Sequence, residues 1–230
     1  IAINNDSTNH QISTKKNVII KSDARSPSFP QERTQILANL KSKINDGEPL
    51  IVHVFVPLCD NKNQGIIPTS PSIGNGMDAK RNLYWGTSNG MKRFFSELPD
   101  WQLIGVKENV NEFVLDRAIF RKIFPNKAIV MLVMDAYKGD EMKLCLEHYF
   151  KSLAGIKTGT IIMNNNSVPA YGNADLIIFN GHNGLMDEEP NSFLNIDARP
   201  KDAVAIACIS KDYFKPFWKK ANGYPLVTTT

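Results

Sequence analysis

The sequence lacks the features that define several large functional classes. No apolar run reaches the roughly 18 residues that a membrane-spanning helix needs, and the 27 Lys and Arg residues against 23 Asp and Glu are scattered. The net charge is only +4 and the basic residues form no dense run, so nucleic acid is not an expected partner. The glycines match neither GxGxxG nor GxxxxGK[ST], so no nucleotide-binding motif is present.

Cysteine is also scarce. Cys59, Cys145 and Cys208 form no CxxC pair, and their odd number argues against a full disulfide framework. The sequence therefore carries no metal or redox signature of this kind, and no cofactor is expected. The chain begins at Ile1, which fits a processed form or a trimmed fragment and favours export over the cytoplasm, although the compartment stays open.

The length of 230 residues is enough for one domain with a substantial core. Residues 1–30 are rich in Asn, Ser, Thr and Lys, and we expect a mobile lead-in with at most one edge strand at Asn17–Ile20. Residues 31–230 are expected to form a single α/β domain.

Apolar patterns predict helices alternating with short buried strands, which is typical of an α/β domain whose sheet is mainly parallel, with helices on both faces. The predicted helices are Gln31–Ile44, Met91–Leu98, Glu112–Phe124, Asp140–Leu153 and Asp212–Lys220. The predicted strands are Leu50–Leu58, Gln102–Lys107, Ala128–Met134, Thr160–Met163, Leu176–Phe179 and Ala203–Ala207, with a further strand starting in the last residues.

Polar or reactive residues follow four of these strands. They are Cys59 with Asp60, then Asp135, His182 and Cys208. In open α/β sheets, ligands bind at the carboxyl ends of the strands. We therefore expect these side chains to face one crevice.

His182 and Cys208 are the pair with the clearest chemistry. A thiolate is a nucleophile, and a nearby imidazole can activate it and later protonate a leaving group. Neighbouring strands lie about 4.8 Å apart, so a His and a Cys at the ends of adjacent strands can face each other across a scissile bond.

This stretch resembles the caspase-like (clan CD) cysteine peptidases, in which one apolar strand ends in His-Gly and another in Ala-Cys. The matching residues are Gly181-His182-Asn183-Gly184 and Ala207-Cys208, with Asn183 where the family has Gly. The resemblance implies a three-layer fold, a peptide or protein substrate, Cys208 as nucleophile and His182 as general acid/base. It also implies an oxyanion site formed by the N–H of Cys208 with that of Asn183 or Gly184.

Other assignments stay open. Asp60 or Asp135 would orient the imidazole or bind a substrate amine. Tyr84 and Trp85, in the long segment Lys62–Asn89, would either line a substrate groove or anchor the segment by packing. His53, inside the first strand, is predicted to be a structural histidine bonded to the backbone.

Two rival functions are consistent with the same residues. One is a non-catalytic module that binds a small molecule, peptide or glycan in the same crevice. The other is a metal-dependent hydrolase whose ligands would be Asp60, Asp135, His182 and Asp187.

Overall fold

The computed structural model describes residues 29–230. The predicted lead-in lies outside the described residues, apart from Phe29 and Pro30, which begin the first helix; so does its edge strand at Asn17–Ile20. The helices and strands, in chain order, are α1 (Phe29–Asn45), β1 (Leu50–Pro57), α2 (Met91–Glu97), β2 (Gln102–Glu108), β3 (Val114–Ile123), β4 (Ile129–Tyr137), α3 (Met142–Leu153), β5 (Thr158–Met163), β6 (Asn166–Tyr171), β7 (Leu176–Asn180), β8 (Lys201–Ile206), α4 (Ser210–Ala221) and β9 (Gly223–Val227).

Seven strands form one mixed sheet in the order β2-β3-β4-β1-β7-β8-β9. Strands β4, β1, β7, β8 and β9 are parallel neighbours, whereas β3 runs antiparallel to both β2 and β4. The predicted α/β class with a mostly parallel sheet is confirmed, and the antiparallel part is an addition to it. Strands β5 and β6 form a separate two-stranded hairpin.

Strand β1 lies at the centre because its sequence, LIVHVFVP, is apolar on both faces. Ile51 and Phe55 join a large core cluster that also contains Tyr149 of α3 and Phe214 of α4. Val54 and Val56 belong to a second cluster, which is completed by Trp85 and the flanking α2 residue Phe95. The sheet therefore separates two hydrophobic cores. The carboxyl ends of its parallel strands lie together along one edge.

The prediction of a helix over Glu112–Phe124 is wrong, since this segment forms β3. Its buried residues fall on consecutive positions from Asp116 to Phe120, because β3 pairs with a neighbour on each side and both of its faces are covered. A strand buried on both faces shows no alternation, and its apolar positions can also fit a helical period.

The segment after β5 forms a strand that the sequence analysis does not predict. Asn164 and Asn165 have φ values of +49° and +64°, so the chain reverses in a tight two-residue turn and continues as β6. Paired positive φ values are typical of type I′ hairpin turns, which favour Asn.

In the described range 29–230, no helix is long and apolar enough to cross a membrane.

Candidate functional site

The carboxyl ends of β1, β7 and β8 lie side by side, because β7 pairs in parallel with both of the others. This arrangement brings Cys59 and Asp60, His182, and Cys208 to one edge of the sheet. Asp135 is not among them. It lies inside β4, which continues to Tyr137, so the prediction that a strand ends there is wrong.

Cys208 is the exposed thiol of the chain, whereas Cys59 and Cys145 are buried. It occupies the short turn between β8 and α4, and the next residue, Ile209, has a φ of +51°. A β-branched residue rarely adopts this left-handed conformation, so the turn is strained. Such strain persists only where surrounding contacts hold it.

Those contacts come from the segments on both sides of the turn. Thr229 Oγ1 donates a hydrogen bond to the carbonyl of Ala207, and its backbone N–H donates to Ser210 Oγ at 2.9 Å. Ser210 Oγ in turn donates to the carbonyl of Ala205 at 2.8 Å. The backbone on either side of Cys208 is therefore held by the hydroxyl groups of Ser210 and Thr229, both of which bind carbonyls that precede it.

His182 is paired with a carboxylate. Its Nε2 lies 2.6 Å from Asp187 Oδ2, and the imidazole is buried while the Asp187 side chain is 29% exposed. A short 3-10 turn over Gly184–Met186 folds the chain back, which is how two residues five positions apart meet. Within the described part of the chain, Nδ1 of His182 has no hydrogen-bond partner.

The segment between β1 and α2 contacts this carboxylate. The backbone N–H of Gly65 donates to Asp187 Oδ2 at 2.9 Å. A Cβ atom at position 65 would overlap Asp187 Oδ1, so the close approach requires glycine. The carboxylate oxygen that faces His182 thus also accepts a hydrogen bond from a distant part of the sequence.

Asn183 connects the two strand ends. This fully buried residue donates from Nδ2 to the carbonyl of Cys208 at 2.6 Å, and its Oδ1 accepts from the N–H of Leu185 at 3.2 Å. The N–H of Gly184 donates to the carbonyl of His182 at 2.9 Å, so it is already engaged in a tight turn.

Asp60 organises the neighbouring segment. Its Oδ1 accepts from the N–H of Lys62 at 2.9 Å and its Oδ2 from Asn63 Nδ2 at 2.8 Å. Both oxygens are used locally, and it is Asp187, not Asp60, that contacts the imidazole.

The long segment Lys62–Asn89 is held in place by the buried side-chain amides of Asn82 and Gln64. Asn82 is fully buried, and its side chain holds the backbone of Cys59 through bonds of 2.9 and 2.8 Å. Gln64 donates to the carbonyls of Leu58 and Gly139 at 2.8 and 3.1 Å. This hydrogen bonding explains how a segment with little regular structure packs firmly over the sheet edge.

The aromatic pair in this segment divides between two roles. Trp85 is fully buried, and its indole N–H donates to Asp116 Oδ2 at 2.8 Å, so it anchors the segment and is not accessible to a substrate. Tyr84 is partly buried. Burial, together with the negative charges of the Cys59 and Cys208 thiolates, raises the pKa of Tyr84 to about 12.

Asp135 belongs to a separate buried network. Arg117 donates to it from Nε at 2.5 Å and from Nη2 at 2.7 Å, and His53 Nε2 lies 3.3 Å from Oδ2. Burial disfavours the Asp135 carboxylate, but these bonds outweigh it and hold its pKa well below the usual range. The N–H of Tyr171 donates to His53 Nδ1 at 2.8 Å, so His53 is bonded to the backbone as expected and its Nε2 carries the proton that faces Asp135.

The predicted metal ligands do not converge. Asp135 is paired with Arg117, and both oxygens of Asp60 are engaged by neighbouring nitrogens. Among residues 29–230, no group of three or more His, Cys, Asp or Glu side chains is arranged to hold a metal ion.

Sequence reasoning missed two contacts in this site. The sequence predicts Asp187 only as a metal ligand, and it assigns no role to the Asn183 side chain. The spacing of His182 and Asp187 indicates a contact only if the turn between them is known. That turn has no strong sequence signal apart from Asn183, a typical capping residue.

Comparison of the chain with protein-family models, curated proteins and solved structures finds no match.

Proposed function

We propose that this chain is a cysteine-dependent hydrolase of the peptidase type, with Cys208 as nucleophile and His182 as general acid/base. One observation carries the proposal: His182 is paired with Asp187 at 2.6 Å, at the end of the strand adjacent to the one that delivers the exposed Cys208. A nucleophile beside a base that a third group orients is the general arrangement of a covalent hydrolase.

In this mechanism the Cys208 sulfur attacks the carbonyl carbon of a peptide bond, and His182 takes the thiol proton. The resulting tetrahedral intermediate collapses as the C–N bond breaks, and the imidazolium donates the proton to the leaving amine. Water then attacks the thioester with His182 as base, which releases the acid and restores the thiol. Asp187 fixes the ring orientation and stabilises the imidazolium.

Two backbone donors support an oxyanion site. Within residues 29–230, the N–H groups of Cys208 and Asn183 donate no hydrogen bond, whereas that of Gly184 is taken by the carbonyl of His182. We assign the oxyanion to Cys208 and Asn183, since unpaired donors beside the nucleophile are what the developing charge requires.

We also propose the three-layer, caspase-like arrangement for this fold. Helices α3 and α4 pack on the face that contains Ala203 and Ala205, and α2 packs on the other. Arg33 of α1 pairs with Asp202, whose position in β8 alternates with those alanines. That contact supports α1 as a second helix on the α2 side.

The test is Cys208→Ala in the full chain. We expect wild-type protein to cleave members of a mixed peptide library and the variant to lose cleavage, with its folding unchanged because Cys208 is exposed. Iodoacetamide should label Cys208 in preference to the buried Cys59 and Cys145. Cleavage that survives in Cys208→Ala would contradict the proposal.

The second candidate is a non-catalytic module that binds a peptide or small molecule at the same edge. The engaged Gly184 N–H favours it, because this bond removes one potential oxyanion donor. Peptide binding without cleavage, equal in wild type and Cys208→Ala, would support this alternative.

A further inference from the structure

The turn that carries His182 and the turn that carries Cys208 are joined by one side chain. Asn183 Nδ2 donates to the Cys208 carbonyl at 2.6 Å, while Oδ1 accepts from Leu185 at 3.2 Å. Asn183 is fully buried, and this bond ties it to the backbone of the residue that carries the exposed thiol. A buried amide with both ends bonded holds its two partners at a fixed separation.

We propose that Asn183 is a positioning residue that fixes the sulfur of Cys208 relative to the imidazole of His182. This inference rests on the proposed function, since it concerns how the same two groups are held. Asn183 does not contact the reacting atoms through its side chain; it acts through the Cys208 backbone.

The turn that carries Cys208 is strained. Ile209 has a φ of +51°. Such a conformation is unfavourable for a β-branched residue, so the turn relaxes unless its neighbours hold it. Thr229 and Ser210 hold it from the side of α4 and the residues after β9. Asn183 holds it from the side of β7, and this bond connects the turn to the residue next to His182.

The two supports therefore have different consequences. Loss of the Thr229 hydroxyl loosens the Cys208 turn but leaves it joined to Asn183. Loss of the Asn183 amide separates the thiol from the imidazole. A misplacement of about 1 Å between reacting groups is enough to reduce a catalysed rate roughly a hundredfold.

The experiment compares Asn183→Asp, which keeps the shape and Oδ1 but removes the donor, with Thr229→Val, which removes the hydroxyl on the opposite side of the same turn. Asn183→Ala is the second variant, in case a buried carboxylate prevents folding. Hydrogen exchange is measured in two segments, on the amides of Gly184 and Met186 after His182 and on those of Ser210 and Lys211 after Cys208, since all four N–H groups donate hydrogen bonds. We expect exchange in both segments to accelerate roughly three- to tenfold in the Asn183 variants, as for the loss of one hydrogen bond, and only the second segment to respond in Thr229→Val.

A second readout separates positioning from simple stability. The rate of Cys208 alkylation is measured with and without His182→Ala in each background. We expect His182→Ala to slow alkylation at least about tenfold in wild type and in Thr229→Val. In Asn183→Ala it should change the rate less than about twofold, because the imidazole is already displaced.

Unchanged exchange at Gly184 and Met186 in a folded Asn183 variant would overturn the inference, and so would a full His182 effect in Asn183→Ala. If His182→Ala has no effect on alkylation in wild type, the proposed function fails. The exchange result still decides whether Asn183 joins the two turns.

Discussion

At the scale of single residues, the carboxylate of Asp187 is the group whose removal is most informative. Asp187→Asn keeps the size of the side chain but removes the charge that stabilises the His182 imidazolium, while Gly65 still has an acceptor. We expect the rate of Cys208 alkylation to fall by roughly tenfold to a hundredfold, measured by mass spectrometry over time. Glu189→Gln, on a nearby exposed position, is the control and should leave the rate unchanged.

The buried pair of Arg117 and Asp135 gives a second residue-scale prediction. Arg117→Met leaves Asp135 charged, buried and without its main partner, which should lower the free energy of unfolding by about 3–5 kcal/mol. Adding Asp135→Asn removes the uncompensated charge and keeps an acceptor for His53. Urea titration should therefore find the double variant more stable than Arg117→Met alone; a double variant that is less stable would show that the charge is not what matters.

At the scale of elements, the segment from β1 to α2 supports the site through Gly65. Gly65→Ala places a methyl group against Asp187 Oδ1, so the carboxylate must shift from the position in which it contacts His182. We expect alkylation of Cys208 to slow about as much as in Asp187→Asn, with little change in thermal stability because the residue lies in a surface segment. Gly159→Ala is a matched control, since the nearest atom to its new methyl would be Tyr171 Cδ2 at 3.4 Å.

The same scale shows what could be predicted from the sequence. Strands β1, β7 and β8, and helices α2, α3 and α4, are predicted within a few residues, because their apolar runs are bounded by Gly, Pro or charged residues. Strand β3 could not be recognised, because its burial on both faces erases the alternation that identifies a strand. Strand β6 was missed, although two adjacent Asn residues at the turn are a known hairpin signal.

The errors at the site have a related cause. Asp135 looks like a strand-end residue in the sequence because a buried carboxylate inside a strand is rare without a partner. Its partner, Arg117, is on β3, directly across the ladder, and the sequence of β3 predicts a helix. The location of His182 and Cys208 follows from local sequence, whereas the contacts of Asp187 and Asn183 depend on how the chain returns to itself.

At the scale of the whole molecule, buried histidines set how stability depends on pH. Burial lowers the pKa of His53, and burial with the charges of Lys157 and Lys151 lowers the pKa of His148 to about 4. The unfolded chain protonates both near pH 6.5, while the folded chain does not. Their contribution to stability is therefore fully present above about pH 6.5 and is lost as the pH falls below it.

We expect the free energy of unfolding in urea to be lower at pH 5 than at pH 7. It should fall further below about pH 4, where the depressed pKa of Asp135 adds to the loss. Asp202 has the opposite effect on the pH dependence of stability, because burial raises its pKa in spite of Arg33. It is one group against the three named above. Constant stability between pH 7 and pH 5 would contradict this account of His53 and His148.

The central position of β1 has a consequence for how the chain is made. Within β1, Val52 pairs with Leu132 of β4 and with Leu176 of β7, both of which are synthesised much later than Val52 itself. During synthesis, the edge of β1 that pairs with β7 stays uncovered until β7 has left the ribosome. Contacts so distant in sequence form slowly, and exposed apolar strand edges are prone to aggregate. Strand β7, which leads into His182, is thus also the strand that covers this edge of β1. A nascent chain therefore acquires the proposed His–Cys pair only after the strand that covers the edge has been made.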